Sequence, residues 1–145
     1  MTTTQTKQIA TDHFNRIRQG DLAGAAALMA EGCVNHAAVP EAQGRDGFVR
    51  IQTKLRTAFP DLAYALEDMI VDGDRAVLRL TVSGTQDGPL TFSRLPLAPT
   101  GKQVRFEQIH IVRVADGKIV EHWAGMDSLA MFRQLGLQVT PVAAA

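Results

Sequence analysis

Gln108, His110 and His122 are the residues whose types and spacing best suit chemistry in this chain. An imidazole can take up and return a proton near neutral pH. A carboxamide can hold a developing oxyanion without adding charge. Gln108 and His110 are two residues apart, so on a strand they share a face. His122 follows across the turn signal Ala115-Asp116-Gly117. A three-residue connection, with Gly117 at positive φ, pairs Val114 with Lys118. It sets His110 opposite His122 and Gln108 opposite Ala124. Phe106, Gln108, His110, Val112, Val120, His122, Ala124 and Met126 then share one face, and Ile109, Ile111, Ile119 and Trp123 share the other with Arg105, Glu107, Arg113 and Glu121. A two-residue turn, Asp116-Gly117, slips the register by one and scatters the polar residues. The longer loop is preferred because it collects them on one side, as a pocket wall would.

An imidazole pair at cross-strand distance depresses the pKa of at least one ring, which leaves a neutral base near pH 7. Asn35 and His36 lie at a helix-to-strand transition near the expected pocket mouth, where an Asn also serves turns. His13, on a helix of mixed polarity, is expected in solvent. Zinc needs three or four convergent ligands. Glu121 points away from the histidines in this register, so no metal or other cofactor is expected. Asp72, Asp74, Asp87 and Asp116 read as turn formers. Cys33, the single cysteine, reads as a buried structural thiol.

Around this hairpin the chain reads in two halves. Ile9, Phe14 and Ile17 have helical spacing over about 4–19, with Gly20 as a stop. Asp21 suits the N-cap of a short helix from Leu22 to Met29, closed by Gly32. Cys33 to His36 is a brief extended piece. Gly44 to Ala58 forms a third helix with Phe48, Ile51, Leu55 and Phe59 on its buried stripe, stopped by Pro60. The period then changes: Leu62–Val71 and Arg75–Thr85 alternate as strands around Asp72-Gly73-Asp74. Gln86 to Gly101 is a long loop suited to a lid. A last helix runs from Ser128 to Leu135, with Asp127 as N-cap. Helices followed by an antiparallel meander make an α+β domain with the helices on one sheet face.

At 145 residues this is one domain, with a core over about 8–136 and a frayed tail, 137–145. Fifteen basic residues balance fifteen acidic ones without a block of like charge, so neither nucleic acid nor an anionic membrane is an expected partner. The N-terminus lacks a run of signal-peptide length and no stretch reaches membrane-spanning length, so a cytoplasmic location is expected. Trp123, Ile109 and Ile111 form an outer apolar patch that predicts a homodimer.

Asn35-His36-Ala37, Pro40-Glu41 and Gly44-Arg45-Asp46-Gly47-Phe48, then Phe59-Pro60-Asp61-Leu62, then the run from Gly117 to Trp123 with Asp127 and Gln134-Leu135-Gly136, resemble SnoaL-like polyketide cyclases and their ester-cyclase relatives. These belong to the superfamily named for nuclear transport factor two. The resemblance implies a cone-shaped, curved antiparallel sheet (a cystatin-like barrel) wrapped around N-terminal helices and enclosing a hydrophobic pocket. It implies an intramolecular aldol closure on an apolar, carbonyl-bearing ester without metal or cofactor. Gln108 and His110 match the family's Gln-x-His, and Asn35 matches its asparagine. The family's acid/base aspartate falls at Ala124, and the remaining carboxylate, Asp127, has helix capping as a sufficient reason to be there. The candidate catalytic residues are therefore His110, Gln108, Asn35, His122 and Asp127; His36, Phe106, Val112, Ala124 and Met126 are candidates to line the ligand. Two functions stay open: a cofactor-independent cyclase or isomerase (or a hydrolase using the histidine pair), and a binding protein that holds an apolar ligand without chemistry.

Overall fold

The computed structural model describes residues 1–36, 39–91 and 96–143. Helix α1, Thr3–Arg18, begins at a capping box in which Thr2 accepts from the Gln5 amide while the Gln5 side chain accepts from that of Thr2. Its inner stripe is Thr6, Ala10 and Phe14, all buried. Helix α2, Leu22–Ala27, is capped by Asp21, and α3 spans Gly44–Ala58. The sheet is built from β1 (Met29–Asn35), β2 (Ala63–Asp72), β3 (Arg75–Thr85), β4 (Gln103–Ala115) and β5 (Lys118–Met126), and α4 (Ser128–Gln134) closes the order. The result is an α+β cone: a curved open sheet with α1 across its inner face.

Strand order is β1-β5-β4-β3-β2. The last four strands are antiparallel, but β1 runs parallel to β5. The short extended piece expected at Cys33 is therefore a full edge strand that starts at Met29, and Gly32 lies inside it instead of ending a helix. Helix α2 stops earlier, at Ala27, and Leu28 accepts the Ile119 amide through its carbonyl.

The turn between β4 and β5 departs from expectation in an instructive way. It has two residues, Asp116 (φ 49°) and Gly117 (φ 74°), the paired positive φ of a type I′ hairpin, whose twist matches the flanking strands. Alone, this would exchange the faces of β5. However, Ile119 pairs with Val114 and Glu121 with Arg113, so Val120 is an unpaired bulge residue that adds a second one-residue shift. The two shifts restore the facing of everything beyond Val120. Ile119, before the bulge, turns inward instead of outward and is 1% exposed. His110 pairs with Ala124, Gln108 with Met126 and Val112 with His122, each one pair along from the expected partner.

The core lies between this inner face and the helices: Ala10 and Phe14 pack with Leu78, Leu80, Phe106, Val112, Val114 and Ile119. Of the segment from Gln86 to Gly101, the described parts are pinned. Leu90 and Leu97 exchange backbone hydrogen bonds, and the fully buried Gln86 accepts from Thr100 at 2.7 Å. Phe92 and Leu95, central to a lid, lie outside the described residues. Among the described residues no helix is long and apolar enough to cross a membrane.

Candidate active site

Four polar side chains form one hydrogen-bonded row across the inner face. Gln108 Oε1 lies 2.8 Å from His110 Nε2; His110 Nδ1 lies 2.8 Å from His122 Nε2; His122 Nδ1 lies 3.2 Å from Asn35 Oδ1. The row runs diagonally over β4, β5 and β1. The two imidazoles stack with centroids 5.1 Å apart and planes 13° from parallel. The parallel pairing sets Asn35 beside His122, and Gln43 fixes the Asn35 backbone by accepting from its amide at 2.9 Å and donating to its carbonyl at 2.7 Å. Across β3, Leu78 and Leu80 pair with His110 and Gln108, so the row has an apolar flank.

His13 was expected in solvent, yet it belongs to this cluster. Its Nδ1–H donates to the Ala25 carbonyl at 2.9 Å, and its ring tilts against Phe48 at 5.3 Å. The signal lay in the helix: His13 is four residues from both Ile9 and Ile17, on the stripe that faces the sheet.

Burial governs the protonation of all three rings. Desolvation and then the neighbouring His122 and His13 lower His110 to about 3. Desolvation lowers His122 to about 4. Desolvation also lowers His13 to about 4, with the Ala25 hydrogen bond opposing it and His122 adding to it. The rings are thus neutral at pH 7. Cys33, buried on β1, is pushed up to about 11 by desolvation and then by Glu121, which keeps it a thiol.

The other candidates divide. Phe106 and Val112 are on the inner face but buried in the core. Ala124 and Met126 are on the inner face and exposed, at the open end of the row. A cleft of about 190 Å³ reaches Gln108 and Met126 at that end, but Glu107, Ile109 and Gly125 bring it in from the outer face, Asp127 completes it, and no imidazole lines it. Asp127 Oδ1 accepts from the Ala130 amide at 3.0 Å as the N-cap of α4, so its carboxylate is engaged in capping. His36 is on the opposite side of the sheet. It stacks on Trp123 at 4.7 Å with planes 7° apart, and its Nε2 is 3.3 Å from Glu121 Oε2, because the chain leaves β1 on the outer face. A larger groove, about 370 Å³, lies elsewhere, between Asp61, Thr85, Arg105 and Gln134, and holds no imidazole. Among the described residues no group of three His, Cys, Asp or Glu is arranged to hold a metal ion.

The family model for SnoaL-like polyketide cyclases matches residues 7–135. The chain belongs to that family. Aklanonic acid methyl ester cyclase DnrD from Streptomyces peucetius is 34% identical over 98 residues, which is 67% of this chain and 65% of DnrD. DauD from Streptomyces sp. strain C5, an enzyme of the same name, is 34% identical over 99 residues, or 67% of this chain and 58% of DauD. The match thus spans less than two thirds of each relative's length. The structure of TsrD from Streptomyces laurentii superposes with a TM-score of 0.81 at 26% identity, covering 94% of this chain and 98% of TsrD. In this SnoaL-like chain Gln108 and His110 touch directly, and Asn35 reaches them through His122.

Proposed function

We propose that this protein is a cofactor-independent acid/base catalyst that closes a ring on an apolar, carbonyl-bearing molecule of polyketide type. The continuous row Gln108–His110–His122–Asn35 is the observation that carries this reading. Every ring nitrogen in the row already has a partner, so substrate reaches His110 Nε2 by displacing the Gln108 carboxamide. Gln108 borders the cleft, where its amide can turn to the substrate oxygen.

In the step proposed, the substrate's α C–H bond breaks, its proton goes to His110 Nε2, and its electron pair forms an enolate. His110 Nδ1–H then lends its proton to His122 Nε2, and His122 Nδ1–H rests on the Asn35 oxygen. The enolate carbon attacks a second carbonyl of the same molecule, a C–C bond forms, and the alkoxide recovers the proton from the row. A buried imidazole is a weak base in isolation. The enolate formed beside it supplies the countercharge, and in a low-dielectric site that pairing is strong. Gln108 N–H donors hold the enolate oxygen.

The test uses aklanonic acid methyl ester, the compound in the relatives' name. Incubation in D₂O should give deuterium at the α-carbon and an isomeric ring-closed product by chromatography. His110→Ala should slow exchange on the order of 10²-fold or more. Exchange that is no faster than in buffer, or indifferent to His110, would sink the enzymatic reading. Binding of the ester without exchange would instead support the second reading, a non-catalytic carrier, which the methyl group of Ala124 favours.

The outer patch of Ile109, Ile111 and Trp123 supports a homodimer as part of the same proposal. Ile109 is 48% exposed, and Arg75 and His36 cover only parts of the Trp123 ring.

A further inference from the structure

Residue 43 carries a side chain that its own helix does not use. Gln43 is the N-cap of α3, a position at which serine, threonine, aspartate or asparagine would turn back onto the first helical amides. Its carboxamide makes no such bond. It reaches across to β1, accepting from the Asn35 amide at 2.9 Å and donating to the Asn35 carbonyl at 2.7 Å. The two bonds copy what a neighbouring strand residue would make on the free edge of β1. On its other side β1 is thinly held here. The parallel pairing to β5 is irregular between Met29 and Val34 and resumes only at Val34 and Asn35. The His36 amide adds one bond to the His122 carbonyl at 2.8 Å. Asn35 is the last residue of the strand, so the Gln43 clamp holds the one β1 residue that enters the polar row.

The place of Asn35 decides how the protons of the row are distributed. There are three contacts, and two neutral imidazoles bring two N–H groups to them. One terminal carboxamide therefore presents its NH₂ to a bare ring nitrogen in place of its oxygen. If Gln108 turns, His122 Nδ1–H donates to Asn35, His110 Nδ1–H donates to His122 Nε2, and His110 Nε2 keeps its lone pair. If Asn35 turns, each proton moves to the other nitrogen of its ring, and His110 Nε2–H donates to Gln108. Asn35 has a short side chain on a backbone clamped at both its N–H and its C=O, whereas Gln108 has one more rotatable bond and borders the cleft. The turn falls to Gln108. The Asn35–His122 contact is also the longest of the three, 3.2 Å against 2.8 Å for the others, so a small shift of the Asn35 backbone is enough to lose it.

We infer that Gln43 is a positioning residue: it fixes the Asn35 oxygen on His122 Nδ1–H and, through His122, leaves His110 Nε2 as the bare nitrogen. Its effect reaches the reaction only through Asn35 and His122. The inference rests on the proposed function for its effect on turnover, while the ring tautomers stand apart from that reading. A second clamp in the molecule serves as its control. Gln134, at the end of α4, holds Arg105 of β4 in the same way, accepting from its amide at 2.6 Å and donating to its carbonyl at 2.9 Å. Arg105 is exposed and takes no part in the row, so this clamp supports the sheet alone.

Gln43→Ser and Gln134→Ser separate the two roles. Serine at 43 is a good N-cap, so α3 keeps its start and only the clamp is lost. Long-range proton–nitrogen NMR at about pH 7 reads the tautomers. In the wild type, His110 and His122 should each show a protonated Nδ1 and a bare Nε2. In Gln43→Ser the two nitrogen shifts of each ring should move towards each other, because both proton arrangements become populated. In Gln134→Ser they should stay apart. The rate of α-proton exchange on saturating aklanonic acid methyl ester should fall about tenfold in Gln43→Ser with KM unchanged, and should stay at the wild-type value in Gln134→Ser. Gln43→Glu keeps the acceptor for the Asn35 amide and loses the donor. It should fall between wild type and serine, and it carries the test if the serine variant does not fold. Unchanged ring shifts on loss of the Gln43 clamp, or equal averaging in Gln134→Ser, overturn the positioning role. Averaged rings with undiminished exchange overturn its part in the reaction. A wild type that shows no exchange sinks the catalytic reading alone, and the ring shifts still decide the positioning.

Discussion

The two faces of β5 place nearly the same residue types in opposite physical circumstances. Glu121 and His122 are neighbours in sequence. Glu121 points out, where Arg113 donates to it at 2.7 Å and His36 approaches at 3.3 Å. His122 points in, where its partners are an imidazole and a carboxamide. Outside, water screens each charge, and the ion pairs cost little to form or to lose. Inside, the rings stay neutral because nothing replaces the water that a charge would need. One residue of alternation thus separates a charged surface cluster from a neutral, buried polar row.

The largest effect expected of this contrast is acid sensitivity. The inner rings have folded pKa values of about 3 for His110 and about 4 for His122 and His13, below the ordinary 6.5. The unfolded chain takes up protons that the folded one refuses, so stability is full above about pH 6.5 and falls as pH drops towards the folded values. Each ring removes up to about 1.4 kcal/mol per pH unit in that window. Urea denaturation from about pH 7.5 to pH 4.5 should therefore show a loss of several kcal/mol, and a flat profile would mean solvated rings. The outer cluster titrates elsewhere. Arg113 and then His36 hold the Glu121 carboxyl below the usual carboxylate range, so its contribution is present above that range and lost only below it.

Next in size is a test of which residue the bulge buries. Ile119→Ala should cost about 2–4 kcal/mol as a core truncation. Val120→Ala, at the half-buried bulge, should cost under about 1 kcal/mol. Equal costs would contradict the observed facing. Smaller in stability, though decisive for assembly, is Trp123→Glu. If the outer face joins two copies, it buries roughly 1,200 Å² or more, and the substitution should convert a dimer to a monomer by light scattering. A wild-type monomer would end that proposal. Smallest is Glu121→Gln, which should shift the denaturation midpoint slightly at low salt and not at all at high salt. A large, salt-insensitive shift would show that the outer cluster is not screened.

Helices α1 and α3 and strand β3 were legible from periodicity and punctuation, because their apolar stripes meet the core directly. The polar row was legible too, since Gln108, His110 and His122 interrupt a face otherwise built for burial. Its detail was not. Asp116-Gly117 favours a two-residue turn, yet nothing local in Lys118–Met126 announces that Val120 bulges out to compensate. The parallel pairing of β1 was hidden because its partner arrives at the far end of the chain and Gly32 reads as a stop. His36 was assigned to the cavity by its neighbour Asn35, although adjacent residues on an extended chain point to opposite sides. The mixed polarity of α1 conceals His13, although its place on the stripe turns it towards the sheet.

The contact between Asn35 and His122 joins residues 87 apart in sequence. Loop closure of that span precedes any reward from the pairing, so completion of the row belongs among the slow, late events of folding. During synthesis, a chain that has released α1, α2, α3, β2 and β3 still holds half a site, with His13 and Asn35 waiting for β4 and β5. Premature termination before Lys118 therefore removes β5, the strand on which both His122 and the edge pairing of β1 depend. A product that stops there carries the first three helices without the completed polar row.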